Sequence, residues 1–312
     1  AGNDQLGRGV ASAGDVDGDG LADLLMSSPG NDEVASGAGK IYLFLGSSLG
    51  TDADIDVAGA DFGFTGEITG DSAGDSIASA GDVDGDGLDD LVFGVESNDD
   101  VDTGSGKAFV ILASSLDPGS PTMSLSDADM VITGVGKNDR TGATVASAGD
   151  LDGDGLDDVL VGAYGYGNSV GAVGVFLGST LTATTDMDFD EADYLITTST
   201  SSELIGFSLS GNGDVDGDGV PDLLYGSTSD DTAEIASGAV MVHLGAHIDA
   251  DTASTDFDYK YIGDTELEYV GTSACWVGDV DGDGVDDFLS GTSYIGSGLY
   301  SGTVWLITDY AQ

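Results

Sequence analysis

Residues 81–90 read GDVDGDGLDD, and near copies of the last nine of these recur at 15–23 (DVDGDGLAD), 150–158 (DLDGDGLDD), 214–222 (DVDGDGVPD) and 279–287 (DVDGDGVDD). Each copy has Asp at positions 1, 3, 5 and 9, Gly at 4 and 6, and Leu or Val at 7. Alternate residues of a tightly wound loop point several carboxylates at one centre, and Gly85 and Gly87 allow the turn by reaching backbone angles that a side chain forbids. A hard cation that takes about six to eight oxygens at about 2.3–2.6 Å matches this donor set, and Ca²⁺ suits it better than Mg²⁺, which demands strict octahedral geometry and keeps its waters. Without a cation, four gathered carboxylates repel one another.

The expected ligands are Asp15, Asp17, Asp19, the Leu21 carbonyl and Asp23 in the first loop, and Asp82, Asp84, Asp86, Leu88 and Asp90 in the second. The third offers Asp150, Asp152, Asp154, Leu156 and Asp158, the fourth Asp214, Asp216, Asp218, Val220 and Asp222, and the fifth Asp279, Asp281, Asp283, Val285 and Asp287. An EF-hand begins in the same way but closes with a bidentate Glu at position 12. Here position 12 is Met26, Phe93, Val161, Tyr225 and Ser290, which excludes it.

The loops start at 15, 82, 150, 214 and 279, a period of about 65 residues, and such periodicity governs any reading of the fold. Before each loop runs a strand of small residues, and after it a short apolar one. A Gly-rich connection leads to a third strand, apolar on both faces: KIYLFLG (40–46), KAFVILA (107–113), AVGVFLG (172–178), AVMVHLG (239–245) and TVWLIT (303–308). A more polar fourth strand is expected in four repeats, at 60–67, 128–135, 192–199 and 255–263, as an outer strand with one face in water. The expected fold is all-β: a β-propeller of about five four-stranded blades, each with a Ca²⁺ loop between its first and second strands. The repeats fall at about 1–70, 71–137, 138–202, 203–264 and 265–312, as one domain. The last lacks an outer strand, so 303–308 is expected as an open edge available for strand addition or self-assembly.

The unit of Gly, small-residue strand, DxDGDGxxD loop and apolar strand resembles the FG-GAP repeat of integrin alpha-subunit propellers and of bacterial FG-GAP proteins. The Gly of "FG" is kept at Gly7, Gly74, Gly142, Gly206 and Gly271; "GAP" is closest at Gly162-Ala163-Tyr164, and Ser28-Pro29 keeps its Pro. The resemblance implies a calcium-binding, extracellular or cell-surface repeat protein that acts in adhesion or recognition, with a protein or glycan ligand on a cell surface or matrix.

Composition narrows the partners. Only 6 basic residues oppose 58 acidic ones, for a net charge of −52. Five Ca²⁺ would leave about −42, so the rest of the surface is itself anionic and suits a salty or calcium-rich medium. Nucleic acid is a poor partner for such a chain, and no apolar run is long enough for direct membrane insertion. The single Cys275, in the small-residue strand of the fifth repeat, cannot form an internal disulfide and is expected to be a buried small hydrophobe.

No catalytic grouping emerges. His243 and His247, the only histidines, lie in HLGAH at a strand end, without a third zinc ligand or a GxSxG elbow. The paired Asp89-Asp90, Asp157-Asp158 and Asp286-Asp287 sit at loop positions 8 and 9, which favours a structural role over a glycosidase pair. The expected function is therefore a non-enzymatic, calcium-stabilised propeller, recognising its partner through the connections 27–39, 94–106, 163–171, 226–238 and 291–302. A structural subunit of a self-assembling surface layer or appendage, and an accessory binding domain of a larger secreted enzyme, are the alternatives.

Overall fold

The computed structural model describes residues 4–50, 54–198, 203–248, 257–296 and 299–308, with the side chains of 294–301 outside that description. Its strands form five sheets in chain order, the blades of a β-propeller. Blade 1 is Val10–Gly14, Asp23–Ser28, Lys40–Phe44 and Phe62–Thr65. Blade 2 is Ser76–Gly81, Asp90–Val95, Lys107–Ile111 and Met130–Thr133. Blade 3 is Thr144–Gly149, Asp158–Ala163, Ala172–Phe176 and Tyr194–Thr197. Blade 4 is Ile205–Gly213, Asp222–Ser227, Ala239–His243 and Tyr259–Ile262. Blade 5 has Ser273–Gly278, Asp287–Gly296 and Leu299–Ile307. Neighbouring strands within these blades pair antiparallel.

The inner strands stand side by side in chain order, and four apolar cores fill the four spaces between the five sheets. Between blades 1 and 2, Leu25, Ile41, Leu43 and Phe64 meet Leu91, Phe93, Phe109 and Ile111, with the Phe64 and Phe93 rings 5.0 Å apart. This explains third strands that are apolar on both faces: one face packs upstream and the other downstream. Small inner-strand residues and the Gly of "FG" permit close approach. Gly142 has φ +80°, and a Cβ there would collide with the Lys107 carbonyl oxygen.

Two expectations need correction. The fourth strands of blades 1 and 2 are not outer edges: Thr122–Ser124, from the second repeat, pairs parallel with Phe62–Thr65, and Asp186–Asp188, from the third, pairs parallel with Met130–Thr133. Each of these repeats thus reaches back to cap its predecessor, so both blades have five strands. In blade 5 residues 291–296 and 299–302 of the expected connection are strand rather than loop, because the second and third strands run on and pair antiparallel there. Its outer edge has no neighbouring strand among the described residues.

Candidate metal centres

The five Asp-rich loops are built alike. In the second, Asp82 Oδ1 accepts the N–H groups of Gly85 at 2.7 Å and Asp86 at 3.0 Å, and its Oδ2 accepts that of Gly87 at 2.9 Å. Asp84 Oδ1 accepts from Asp86, and Asp86 Oδ1 from Leu88 at 2.9 Å. Gly85 at φ +77° and Gly87 at φ +89° provide the turns. In the first four loops this winding gathers the carboxylates of positions 1, 3 and 5, as in Asp150, Asp152 and Asp154, with one oxygen of each within 4.8 Å of the others. In the fifth loop the gathered group is Asp279, Asp281 and Asp287.

Position 9 is turned inward. Asp90 is fully buried; its Oδ2 accepts from Val83 N–H at 2.9 Å and its Oδ1 from Ala113 N–H at 2.8 Å, tying the loop to the end of the third strand. Asp23, Asp158 and Asp222 make the equivalent pairs with Val16 and Gly46, Leu151 and Gly178, and Val215 and Gly245. Asp287 accepts from Val280, while its Oδ1 is buried without a partner among the described residues. Burial pushes the carboxyls of Asp90 and Asp158 up to about 7 and that of Asp222 to about 6; the two backbone N–H groups oppose the shift, and the neighbouring loop carboxylates add to it.

These features fit a hard cation. Asp150, one of the three gathered carboxylates of the third loop, has its Oδ1 buried with no hydrogen-bond partner among the described residues. The donor set is all oxygen, as Ca²⁺ requires. The residues at position 7 donate their N–H to the position-5 carboxylate at 2.8–3.1 Å in all five loops.

Position 8 has a role that the sequence reading did not assign. Asp89 Oδ2 accepts the N–H of Asp15 in the preceding loop, and Asp89 N–H donates to the Asp15 carbonyl. The same two-bond latch joins Asp157 to Asp82 and Asp286 to Asp214. Blade 4 has Pro221 at this position, where a Cβ on Gly149 would lie 2.9 Å from its Cγ. The signal was present in the Asp-Asp pairs, but only the adjacency of blades shows what the first Asp of each pair does.

A second repeated turn also escaped notice. In the connections of blades 1, 2 and 4, Asp32, Asp99 and Asp231 each accept the N–H of the residue five positions on, Gly37, Gly104 and Ala236. Beside these turns Lys40 pairs with Glu33, Lys107 with Asp100 and Glu67, and Lys260 with Asp230. The recurrent ASG and TGSG segments were the available clue.

Three expectations about single residues fare differently. His243 ends the third strand of blade 4, as expected, and is buried there, with Nδ1 3.0 Å from Tyr225 Oη. His247 is exposed and bonds Asp258 at 2.7 Å, which raises its pKa. Cys275 is exposed rather than buried: it alternates with Ala274 and Trp276, which pack toward blade 4, and its own side of the strand has no cover among the described residues.

Comparison with known proteins agrees with this architecture. The family model described as FG-GAP repeat matches residues 6–44 and 141–176. The chain is 31% identical to integrin alpha-5 of Xenopus laevis over 60% of its length and 18% of the relative's. It is 33% identical to integrin alpha-PS2 of Drosophila melanogaster over 59% of its length and 13% of the relative's, and 29% identical to integrin alpha pat-2 of Caenorhabditis elegans over 83% and 21%. It therefore spans about a fifth or less of the length of these curated relatives. The chain thus folds as a β-propeller that carries FG-GAP repeats at 6–44 and 141–176 and is similar to integrin alpha chains.

Proposed function

We propose that this propeller binds Ca²⁺ in its five loops and works, without enzymatic activity, as an adhesion or recognition module at the cell surface or outside the cell. The observation that carries the reading is the fivefold recurrence of gathered carboxylates at the same corner of each blade, on repeats similar to those of integrin alpha chains. The ligands would be the carboxylates of positions 1, 3 and 5, the carbonyl of position 7, and the carboxylate of position 9. The bound ion neutralises charge that the folded loop otherwise concentrates, so its binding free energy adds to folding stability.

Recognition of a protein or glycan partner falls to the connections between second and third strands. Blade 3 differs from blades 1, 2 and 4 there: a short turn at Tyr166–Ser169 replaces the Asp-anchored one. Tyr166 packs on Phe189 and bonds Asp190, and Tyr164 packs on Phe207. Titration calorimetry with Ca²⁺, followed by a matrix-protein and glycan array with and without the ion, tests both parts. Five sites and a calcium-dependent ligand support the reading, and a chain that takes up no Ca²⁺ refutes it.

A further inference from the structure

The loops touch one another at some joints between blades and not at others. Three of the four joints carry the position-8 latch, Asp89 on Asp15, Asp157 on Asp82 and Asp286 on Asp214, each through one carboxylate bond and one N–H bond. A second contact keeps to the same three joints. The position-7 side chain reaches the position-4 Gly of the preceding loop, so that a Cβ on Gly18 would lie 3.0 Å from Leu88 Cδ2, one on Gly85 2.9 Å from Leu156 Cδ2, and one on Gly217 3.6 Å from Val285 Cγ1.

The joint between loops 3 and 4 lacks both contacts. Pro221 stands at position 8 with neither a carboxylate nor an N–H, and a Cβ on Gly153 would meet nothing within 4 Å, so Val220 does not reach it. Loop 3 is also wound differently on that side. Asp15, Asp82, Asp214 and Asp279 each accept the N–H of their position-4 Gly at 2.6–2.8 Å, whereas Asp150 Oδ1 is buried without a partner among the described residues.

Asp157 lies between two proposed ligands of its own loop, the Leu156 carbonyl and the Asp158 carboxylate. An ion in loop 3 fixes the residues on both sides of Asp157 and so fixes the latch, which in turn holds Asp82, the residue that opens loop 2. Part of the ordering that loop 2 requires is then complete before its own ion arrives, and the second binding event is strengthened. Linkage makes the effect reciprocal. We propose that Asp89, Asp157 and Asp286 are positioning residues that couple calcium binding between neighbouring loops, so that the five sites fill as two cooperative blocks, loops 1–3 and loops 4–5, separated at Pro221. This coupling rests on the calcium reading above, which five independent sites would satisfy equally well.

The test is a Ca²⁺ titration of the full chain followed loop by loop by NMR, in about 0.15 M salt to screen repulsion between neighbouring ions. The position-6 glycines Gly20, Gly87, Gly155, Gly219 and Gly284 serve as reporters, because each donates its N–H to the position-1 carboxylate of its own loop at 2.8–3.0 Å. Gly20, Gly87 and Gly155 are expected to follow one steep curve, and Gly219 and Gly284 another. Asp152→Asn weakens loop 3 without touching the latch; it should lower the calcium affinity read at Gly87 about tenfold and leave Gly219 and Gly284 unchanged. Asp157→Ala should detach Gly155 from Gly87, while the unmoved curves of Gly219 and Gly284 show in the same molecule that the fold is kept. In that background Asp152→Asn should have no further effect at Gly87, a dependence that a merely structural role for Asp157 does not produce. Reporters that do not respond to Ca²⁺ at all refute the calcium reading itself, and the coupling with it. Five unrelated curves, one curve shared across Pro221, or an Asp152→Asn effect at Gly87 that survives Asp157→Ala would overturn the coupling and leave the calcium reading standing.

Discussion

Asp157 in the third loop holds Asp82 in the second by two hydrogen bonds: its Oδ2 accepts the Asp82 N–H at 2.9 Å, and its own N–H donates to the Asp82 carbonyl at 2.9 Å. Asp82 is position 1 of a proposed calcium loop, so the residue that opens one metal site is positioned by the neighbouring blade. Loops that would look autonomous in the sequence are thus parts of the joints between blades.

Asp157→Ala removes the carboxylate half of this latch and leaves the Asp82 N–H unpaired. A loss of about 1–3 kcal/mol of stability is expected in chemical denaturation, with secondary structure intact. Asp157→Asn, which keeps an acceptor oxygen, should lose less.

Gly142→Ala should be among the most damaging single substitutions. The residue has φ +80°, and its Cβ would meet the Lys107 carbonyl and approach the Gly94 Cα to 3.2 Å. Strain and steric conflict together predict a cost of about 2–4 kcal/mol, read as a lowered unfolding midpoint.

Asp75 provides a pH test away from the loops. Burial pushes its carboxyl up to about 6, Glu96 adds to the shift, and Arg8 and Arg140 oppose it. Its pKa is higher in the folded than in the unfolded chain, so the native state binds the proton first. The resulting stabilisation is complete below about pH 4 and lost as pH rises through about 6. Asp75→Asn should therefore raise stability at pH 7 by about 1–2 kcal/mol after allowance for solvent screening, and by nothing at pH 4. A pH-independent difference would remove Asp75 as the titrating group.

Asp152→Asn separates a metal role from a purely structural one, because the two predict opposite signs. Without Ca²⁺ the variant loses charge repulsion within the cluster and keeps an oxygen for the Asp154 N–H, so its stability should rise by about 0.5 kcal/mol. With Ca²⁺ it loses a ligand, and a tenfold weaker site costs about 1.4 kcal/mol.

Much of this was legible in the sequence because the signals were local and repeated. The Asp spacing fixed the loop, the period fixed the number of sheets, and the doubly apolar third strands implied cover on both faces. What the sequence hid was non-local. Position 8 read as a neighbour of a ligand until the next blade placed Asp82 beside Asp157. The strands at Thr122–Ser124 and Asp186–Asp188 pair with blades that precede them, and no pattern within their own repeats distinguishes them from loop. Cys275 lies in a strand whose counterparts are covered, and its exposure depends on which neighbouring blade packs on that side, which no pattern in its own repeat reports.

The central claim, that calcium in the five loops supports the folded propeller, is tested most directly by calorimetric melting of the full chain, first in excess chelator and then in Ca²⁺ or Mg²⁺. At about a hundred times its dissociation constant, each bound ion adds about 2.7 kcal/mol, so the midpoint should rise by about 10 °C or more with Ca²⁺ and far less with Mg²⁺. Identical melting curves in chelator and in calcium would contradict the account.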